Sequence, residues 1–121
     1  MIGYVGRLAI EKNPALFLLT AHTLLQSCPF CRFVVVGDGA LRPELMTLAS
    51  MLEIEWAVEF RGWVGGDLPQ VLAEIDILVN PSLRAWSETF CIANVEAMAL
   101  GIPLVTFVVS AYRFNRVILH I

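Results

Sequence analysis

Short apolar runs rich in β-branched residues alternate along the chain with longer stretches of helical period, which is the signature of successive βαβ units. The runs Ile2–Val5, Phe33–Val36, Val58–Phe60, Ile77–Val79 and Leu104–Val109 are predicted strands. They are nearly continuous in their apolar character, as strands buried on both faces should be, and they read as one parallel sheet. Between them, Asn13 and Pro14 read as N-cap and first residue of a helix running to about Gln26, with Leu16, Leu19, Thr23 and Leu24 along its apolar stripe. A second helix is predicted over Leu41–Leu52, and a short third is capped by Asp67 and ends near Ile75. The fourth runs from about Cys91 to Leu100, closed by Gly101 and stopped by Pro103. Right-handed crossovers then give an α/β fold, a Rossmann-like parallel sheet with helices on both faces.

Sheets of this kind bind ligands outside the carboxyl ends of their strands, so the loops after strands should hold the chemistry. Those loops contain Gly6, Arg7 and Lys12, then Gly37, Asp38 and Gly39, then Arg61, Gly62 and Trp63, and finally Asn80, Pro81 and Ser82 through Glu88. Nearly every unusual residue falls on that side. Each also has a bland reading: the glycines as tight turns, Trp63 as core, Arg7 and Lys12 as surface charges.

Composition narrows the classes. At 121 residues the chain has the size of a single domain, and with 58% apolar and 16% charged residues and a mean hydropathy of +0.74 it has too much to bury to be disordered. The excess implies a doubly covered sheet and some surface that meets a partner or a missing part of the same protein. Eight Lys and Arg stand against 11 Asp and Glu with no basic run, so nucleic acid is not an expected partner. Lys12 is the only lysine. The uncharged run Ala97–Tyr112 is shorter than the ~20 residues of a spanning helix and contains Gly101 and Pro103, and no transmembrane segment is expected. Arg7, Glu11 and Lys12 interrupt any secretory leader, and three cysteines without a leader point to a reducing, cytoplasmic setting.

Two carboxylates, Glu88 and Glu96, are separated by seven residues. Eight helical steps of ~100° leave such a pair roughly 80° apart, so they share one target only if Glu88 lies in the loop before the helix. Glu96 sits between Val95 and Ala97 in an apolar segment, where a carboxylate either faces solvent or has a partner. Spacing leaves both readings open.

The stretch Ser87-Glu88-Thr89-Phe90-Cys91-Ile92-Ala93-Asn94-Val95-Glu96-Ala97-Met98-Ala99-Leu100-Gly101-Ile102-Pro103-Leu104-Val105 resembles the Glu-x7-Glu region of the group 1 (family 4) retaining glycosyltransferases. Gly6-Arg7-Leu8, Lys12, Val36-Gly37-Asp38-Gly39, Phe60-Arg61-Gly62-Trp63-Val64 and residues 76–82 extend the similarity to roughly residues 2–107. The resemblance implies a partial C-terminal, donor-binding half of a GT-B fold. It also implies transfer of a sugar from a nucleotide-sugar to an acceptor hydroxyl with retention. Carried onto matching positions, it implies that Glu88, Arg7 and Lys12 serve catalysis, with Glu88 beside the donor sugar and the two cations on the diphosphate. The donor-binding set is Gly6, Arg7, Lys12, Trp63, Val64, Phe90, Cys91, Ile92 and Glu96, with Glu96 on the ribose hydroxyls and Trp63 and Val64 near the base. No metal and no cofactor beyond the nucleotide-sugar is expected.

Three departures qualify this. Cys91 stands where the family commonly has glycine. After Phe107 the glycine-rich loop of the family gives way to an unrelated run, so residues 1–109 read as a partial nucleotide-sugar-binding domain and 110–121 as a divergent tail, leaving strand Leu104–Val109 with an exposed apolar edge. The N-terminal acceptor domain of a GT-B enzyme is missing, and little or no transferase activity is expected of the chain alone.

Two further patterns compete. Cys28-Pro29-Phe30-Cys31 resembles the glutaredoxin active site, but a redox CxxC opens a helix after a strand, whereas this one closes a helix and precedes a strand. Gly37-x-Gly39 with Glu59 twenty residues beyond imitates a dinucleotide fingerprint, but Arg42 occupies the place of the third glycine. A dinucleotide-binding oxidoreductase half and a non-catalytic interaction fragment are the alternatives these features leave.

Overall fold

The computed structural model describes residues 1–82, 97–109 and 115–120. Strands β1 (Ile2–Val5), β2 (Phe33–Val36), β3 (Val58–Gly62), β4 (Ile77–Asn80), β5 (Leu104–Val109) and β6 (Asn115–His120) form one six-stranded sheet of order β3-β2-β1-β4-β5-β6. The first five pair in parallel, and β6 runs antiparallel to β5. Helices α1 (Pro14–Ser27), α2 (Arg42–Met51) and α3 (Leu68–Ala73) connect successive strands. This is the Rossmann-like sheet that the alternation of apolar runs predicts.

Strand alternation divides the core in two. On one face Tyr4, Phe33, Val35 and Val79 pack under Phe17, Leu18, Ala21 and Leu25 of α1 and Leu45 and Ala49 of α2. On the other, Val34, Val36, Leu78 and Leu104 pack under Val71 and Leu72 of α3 and Ala97 of the helical turn 97–99. Consecutive residues of β2 thus serve opposite faces, which is why all four are buried and why the strand reads as an unbroken Phe-Val-Val-Val run. The chain leaves β1 toward β2 and β4 toward β5, so the loops after β1 and β4 diverge from adjacent strand ends. That is the switch point at which such sheets bind ligands.

Three local expectations are corrected. The stripe of α1 is Pro14, Phe17, Leu18, Ala21 and Leu25, while Leu19 and Leu24 are exposed; a helix apolar on most of its faces gives periodicity little to choose between. Asn13 occupies the N-cap in a left-handed conformation (φ 53°), with no capping bond from its side chain; its own N–H donates to the Ile10 carbonyl instead. Asp67 likewise stands at the N-cap of α3 without a side-chain bond. Helical residues 97–99 and the turn at Gly101 (φ 74°) agree with the predicted fourth helix, whose beginning lies outside the described residues.

The edge of β5 is not open. Its residues from Leu104 to Val109 pair in register with His120 to Asn115, so part of the tail extends the sheet and β6 becomes its border. Among the described residues, no helix is long and apolar enough to cross a membrane.

Helix α2 ends in a Schellman motif. Ile54 N–H donates to the Ala49 carbonyl and Glu53 N–H to that of Ser50, with Glu53 at φ 57°. A side chain in that conformation costs about 1–2 kcal/mol, and glycine recovers most of it less its own entropic penalty. Glu53→Gly is therefore expected to stabilise the fold by about 0.5–1 kcal/mol, read as a higher urea midpoint; a lower midpoint would refute the assignment.

Candidate functional site

The loop after β1 is built from the inside out. Leu8 is fully buried and anchors the loop in the core, and the buried Tyr4 hydroxyl donates to the Arg7 carbonyl at 2.5 Å. With its neighbour plugged in and its carbonyl held, Arg7 can only present its side chain outward, where it is 72% exposed. Its guanidinium lies 3.5 Å from the Glu11 carboxylate. An exposed pair of that length is worth about 0–1 kcal/mol, so the guanidinium can turn to another anion at little cost.

The loop after β2 runs against this one, backbone to backbone. Gly6 N–H donates to the Val36 carbonyl, Leu8 N–H to that of Asp38, Leu41 N–H to that of Leu8, and Gly37 N–H to the Gly62 carbonyl at the end of β3. Gly37 adopts φ 143°, and a Cβ there would overlap the Gly6 carbonyl oxygen; at Gly39 it would lie 2.6 Å from the Leu8 oxygen. The glycines of Val36-Gly37-Asp38-Gly39 thus let two strand-end loops touch. Asp38 accepts the Gly39 N–H at 2.8 Å and is exposed beside Arg7.

Gly6, Arg7, Asp38 and Trp63 line a cleft of about 240 Å³ where the loops after β1, β2 and β3 converge. Trp63 is 66% exposed, which removes it from the core and leaves its indole as a wall of the cleft. The arrangement offers a forked cation for an anion, a carboxylate acceptor, and an aromatic face for a planar group.

Lys12 follows Arg7 on a 3-10 turn, Ile10–Lys12, at the head of α1. That turn is tied to β4, because the fully buried Ser82 donates its hydroxyl to the Glu11 carbonyl at 3.1 Å and its N–H to the Asn80 side chain at the same distance. The two loops that diverge at the switch point are therefore pinned together through Ser82 and Glu11.

The structure brings Gly6, Arg7 and Trp63 to one cleft, sets Lys12 on the same strand-end side, and packs Val64 against the α3 core rather than into the cleft. Glu88, Phe90, Cys91, Ile92 and Glu96 lie outside the described residues. Arg61 turns away to bridge Glu59 at 2.9 Å and Glu74 of the α3 end at 2.6 Å, and its hydrogen bond to Glu74 raises its already high pKa. Asp38 and Glu11 are the site neighbours the sequence reading did not select; position after β2 marked Asp38, and four-residue spacing from Arg7 marked Glu11. Among the described residues, no three His, Cys, Asp or Glu side chains are grouped to hold a metal.

Comparison with known proteins extends the picture beyond the cleft. A family model described as "Glycosyl transferases group 1" matches residues 1–119. The GDP-mannose-dependent alpha-mannosyltransferase of Mycolicibacterium smegmatis is 37% identical over 107 residues, covering 87% of this chain and 24% of that protein. Among solved structures, Anabaena HepE in complex with UDP and glucose superposes with a TM-score of 0.68 at 28% identity, over 87% of this chain and 28% of the other. The C-terminal domain of a group 1 glycosyl transferase from Francisella tularensis superposes with a TM-score of 0.76 at 24% identity, over 87% of this chain and 56% of that domain. The chain thus spans about a quarter of the length of the curated relatives it matches. The sheet is the Rossmann-like half of a GT-B fold.

Proposed function

The chain belongs to the group 1 glycosyltransferases, and from that premise we propose that it is the donor-binding part of an enzyme moving a sugar from a nucleotide-sugar to an acceptor hydroxyl with retention. One observation carries the reading. Gly6, Arg7, Asp38 and Trp63, from three consecutive strand-end loops, line one cleft at the carboxyl side of a parallel sheet. The UDP complex of the Anabaena relative supports a nucleoside diphosphate as its occupant.

In this reading Arg7 binds the diphosphate through its fork and Lys12 adds a point charge; together they stabilise the leaving group electrostatically, in place of a metal. Trp63 attends the base, while Val64, packed against the α3 core, supports the loop from behind. By motif resemblance Glu96 takes the ribose hydroxyls, Glu88 acts at the reacting carbon, and Phe90, Cys91 and Ile92 belong to the donor-binding set. Residues 1–109 form the partial donor unit, with 110–121 a divergent tail that lends β6 to the sheet border. The acceptor side comes from an N-terminal domain, so the chain alone transfers little or no sugar. The setting proposed is cytoplasmic.

Thermal unfolding with UDP, GDP, ADP or NAD tests the reading. A ligand at ten times its dissociation constant adds about 1.4 kcal/mol, so one nucleoside diphosphate is expected to raise Tm with or without a chelator. A rise with NAD alone would favour the dinucleotide alternative. No rise with any of them would sink the donor site, and sugar transfer by the purified chain would sink the claim of inactivity.

A further inference from the structure

The opposite end of the sheet holds chemistry that donor binding does not use. Helix α1 ends at Ser27, Cys28 caps it by donating its N–H to the Leu24 carbonyl at 2.7 Å, and Cys31 N–H donates to the Cys28 carbonyl at 3.2 Å. This tight turn brings the two thiols together. The Cys31 S–H donates to the Cys28 sulfur with 3.0 Å between them, and both residues are half-buried, so a small molecule can reach them.

The turn is also clamped. Arg32 donates through Nη1 to the carbonyls of Pro29 at 3.0 Å and Cys31 at 2.8 Å, while its guanidinium lies 4.7 Å from the ring centre of Trp56. Ile2 N–H donates to the Arg32 carbonyl, fixing the turn to β1. The fold therefore bears part of the entropic cost of bringing the sulfurs together before any bond forms.

From this geometry we propose that Cys28 and Cys31 form a reversible dithiol–disulfide couple, a redox modification site distinct from the nucleotide cleft. The oxidant is a small disulfide such as oxidised glutathione. The Cys28 sulfur accepts the hydrogen bond, so as thiolate it attacks first, forming a mixed disulfide and releasing one glutathione thiolate. The Cys31 thiolate then attacks the Cys28 sulfur and displaces the second. One S–S bond breaks and one forms; two electrons and both thiol protons pass to two glutathione molecules.

The couple differs from that of a thiol oxidoreductase. Those proteins place the attacking thiol at a helix N-terminus, where the thiolate is favoured and the disulfide is strongly oxidising. Here the pair stands at a helix C-terminus, and the hydrogen bond with Cys28, followed by burial, pushes the Cys31 thiol pKa up. A disfavoured thiolate makes for slow closure at neutral pH and a disulfide that, once formed, resists reduction.

The test equilibrates the full chain in glutathione buffers of graded ratio, quenches with acid, alkylates the free thiols and maps them by mass spectrometry, in buffer and again in urea. Trypsin leaves both cysteines in the single peptide 13–32, so their pairing is distinguished from any bond to Cys91. The expected result is a Cys28–Cys31 disulfide whose equilibrium constant in the folded chain exceeds that in urea by about tenfold or more, a potential lower by ~30 mV. An equal or smaller constant in the folded chain would overturn the proposal. So would mixed glutathione adducts that never close, or pairing of either cysteine with Cys91.

Discussion

Gly37→Ala is expected to destabilise the fold by about 4 kcal/mol or more, a loss in the exceptional range for a point substitution. The cause is local and backbone against backbone. The added Cβ overlaps the Gly6 carbonyl oxygen, and neither strand-end loop can retreat, because Gly6 N–H is bound to Val36, Leu8 N–H to Asp38 and Gly37 N–H to Gly62. The positive φ of 143° adds strain that does not depend on the clash. Domains of this size are stable by about 5–15 kcal/mol, so such a loss removes much of the reserve and opens the cleft wall that Gly6 and Asp38 share. Gly66→Ala is the control, since a Cβ there meets nothing within 4 Å, and it is expected to stay within about 0.5 kcal/mol of wild type. Urea unfolding followed by circular dichroism measures both. Equal midpoints for Gly37→Ala and Gly66→Ala would mean that the loops are not packed as described.

The same contact shows why the site was only partly legible. Two glycines after an apolar run mark a turn, and they are compatible with tight turning, with ligand approach, or with a second loop lying across them. Only the third dimension distinguishes these, and it places the β1 loop there. The strands themselves were legible because parallel pairing buries both faces. A run such as Phe33–Val36 then carries no competing polar signal, and its ends agree with those observed. Helix α1 was legible in extent and not in orientation. A helix rich in leucine on every side is turned by which residue fits the sheet, and Phe17 settles it by lying 5.8 Å from the Tyr4 ring and 6.0 Å from that of Phe33. Arg61 misled for a related reason. Its place next to Gly62 suggested the cleft, yet the strand pleat and two carboxylates draw it sideways to α3. Residues 110–121 read as a divergent tail because the expected glycine-rich loop does not follow Phe107, a signal that says nothing about strand pairing. Pairing along β5 asks only for an extended segment of matching length.

Arg7→Ala is expected to weaken binding of the nucleoside diphosphate by about 10- to 150-fold, the loss of one charged hydrogen-bonding group worth about 1.5–3 kcal/mol. Stability without ligand should not move, because the side chain is 72% exposed and the loop is held by the Arg7 carbonyl, not by its guanidinium. That separation makes the measurement decisive. Titration calorimetry with UDP and UMP, or GDP and GMP according to the base preferred, should show the loss concentrated in the diphosphate, whose second phosphate gives the fork two oxygens to span. Arg7→Lys keeps the charge and forfeits the fork, so it should lie between the two. Affinity should also fall with added salt, less steeply in Arg7→Ala than in wild type, as one exposed cation is removed from the contact. Equal losses for mono- and diphosphate would move Arg7 from the phosphates to the base or sugar. No loss at all would leave the cleft without its anion site, and the donor reading with it.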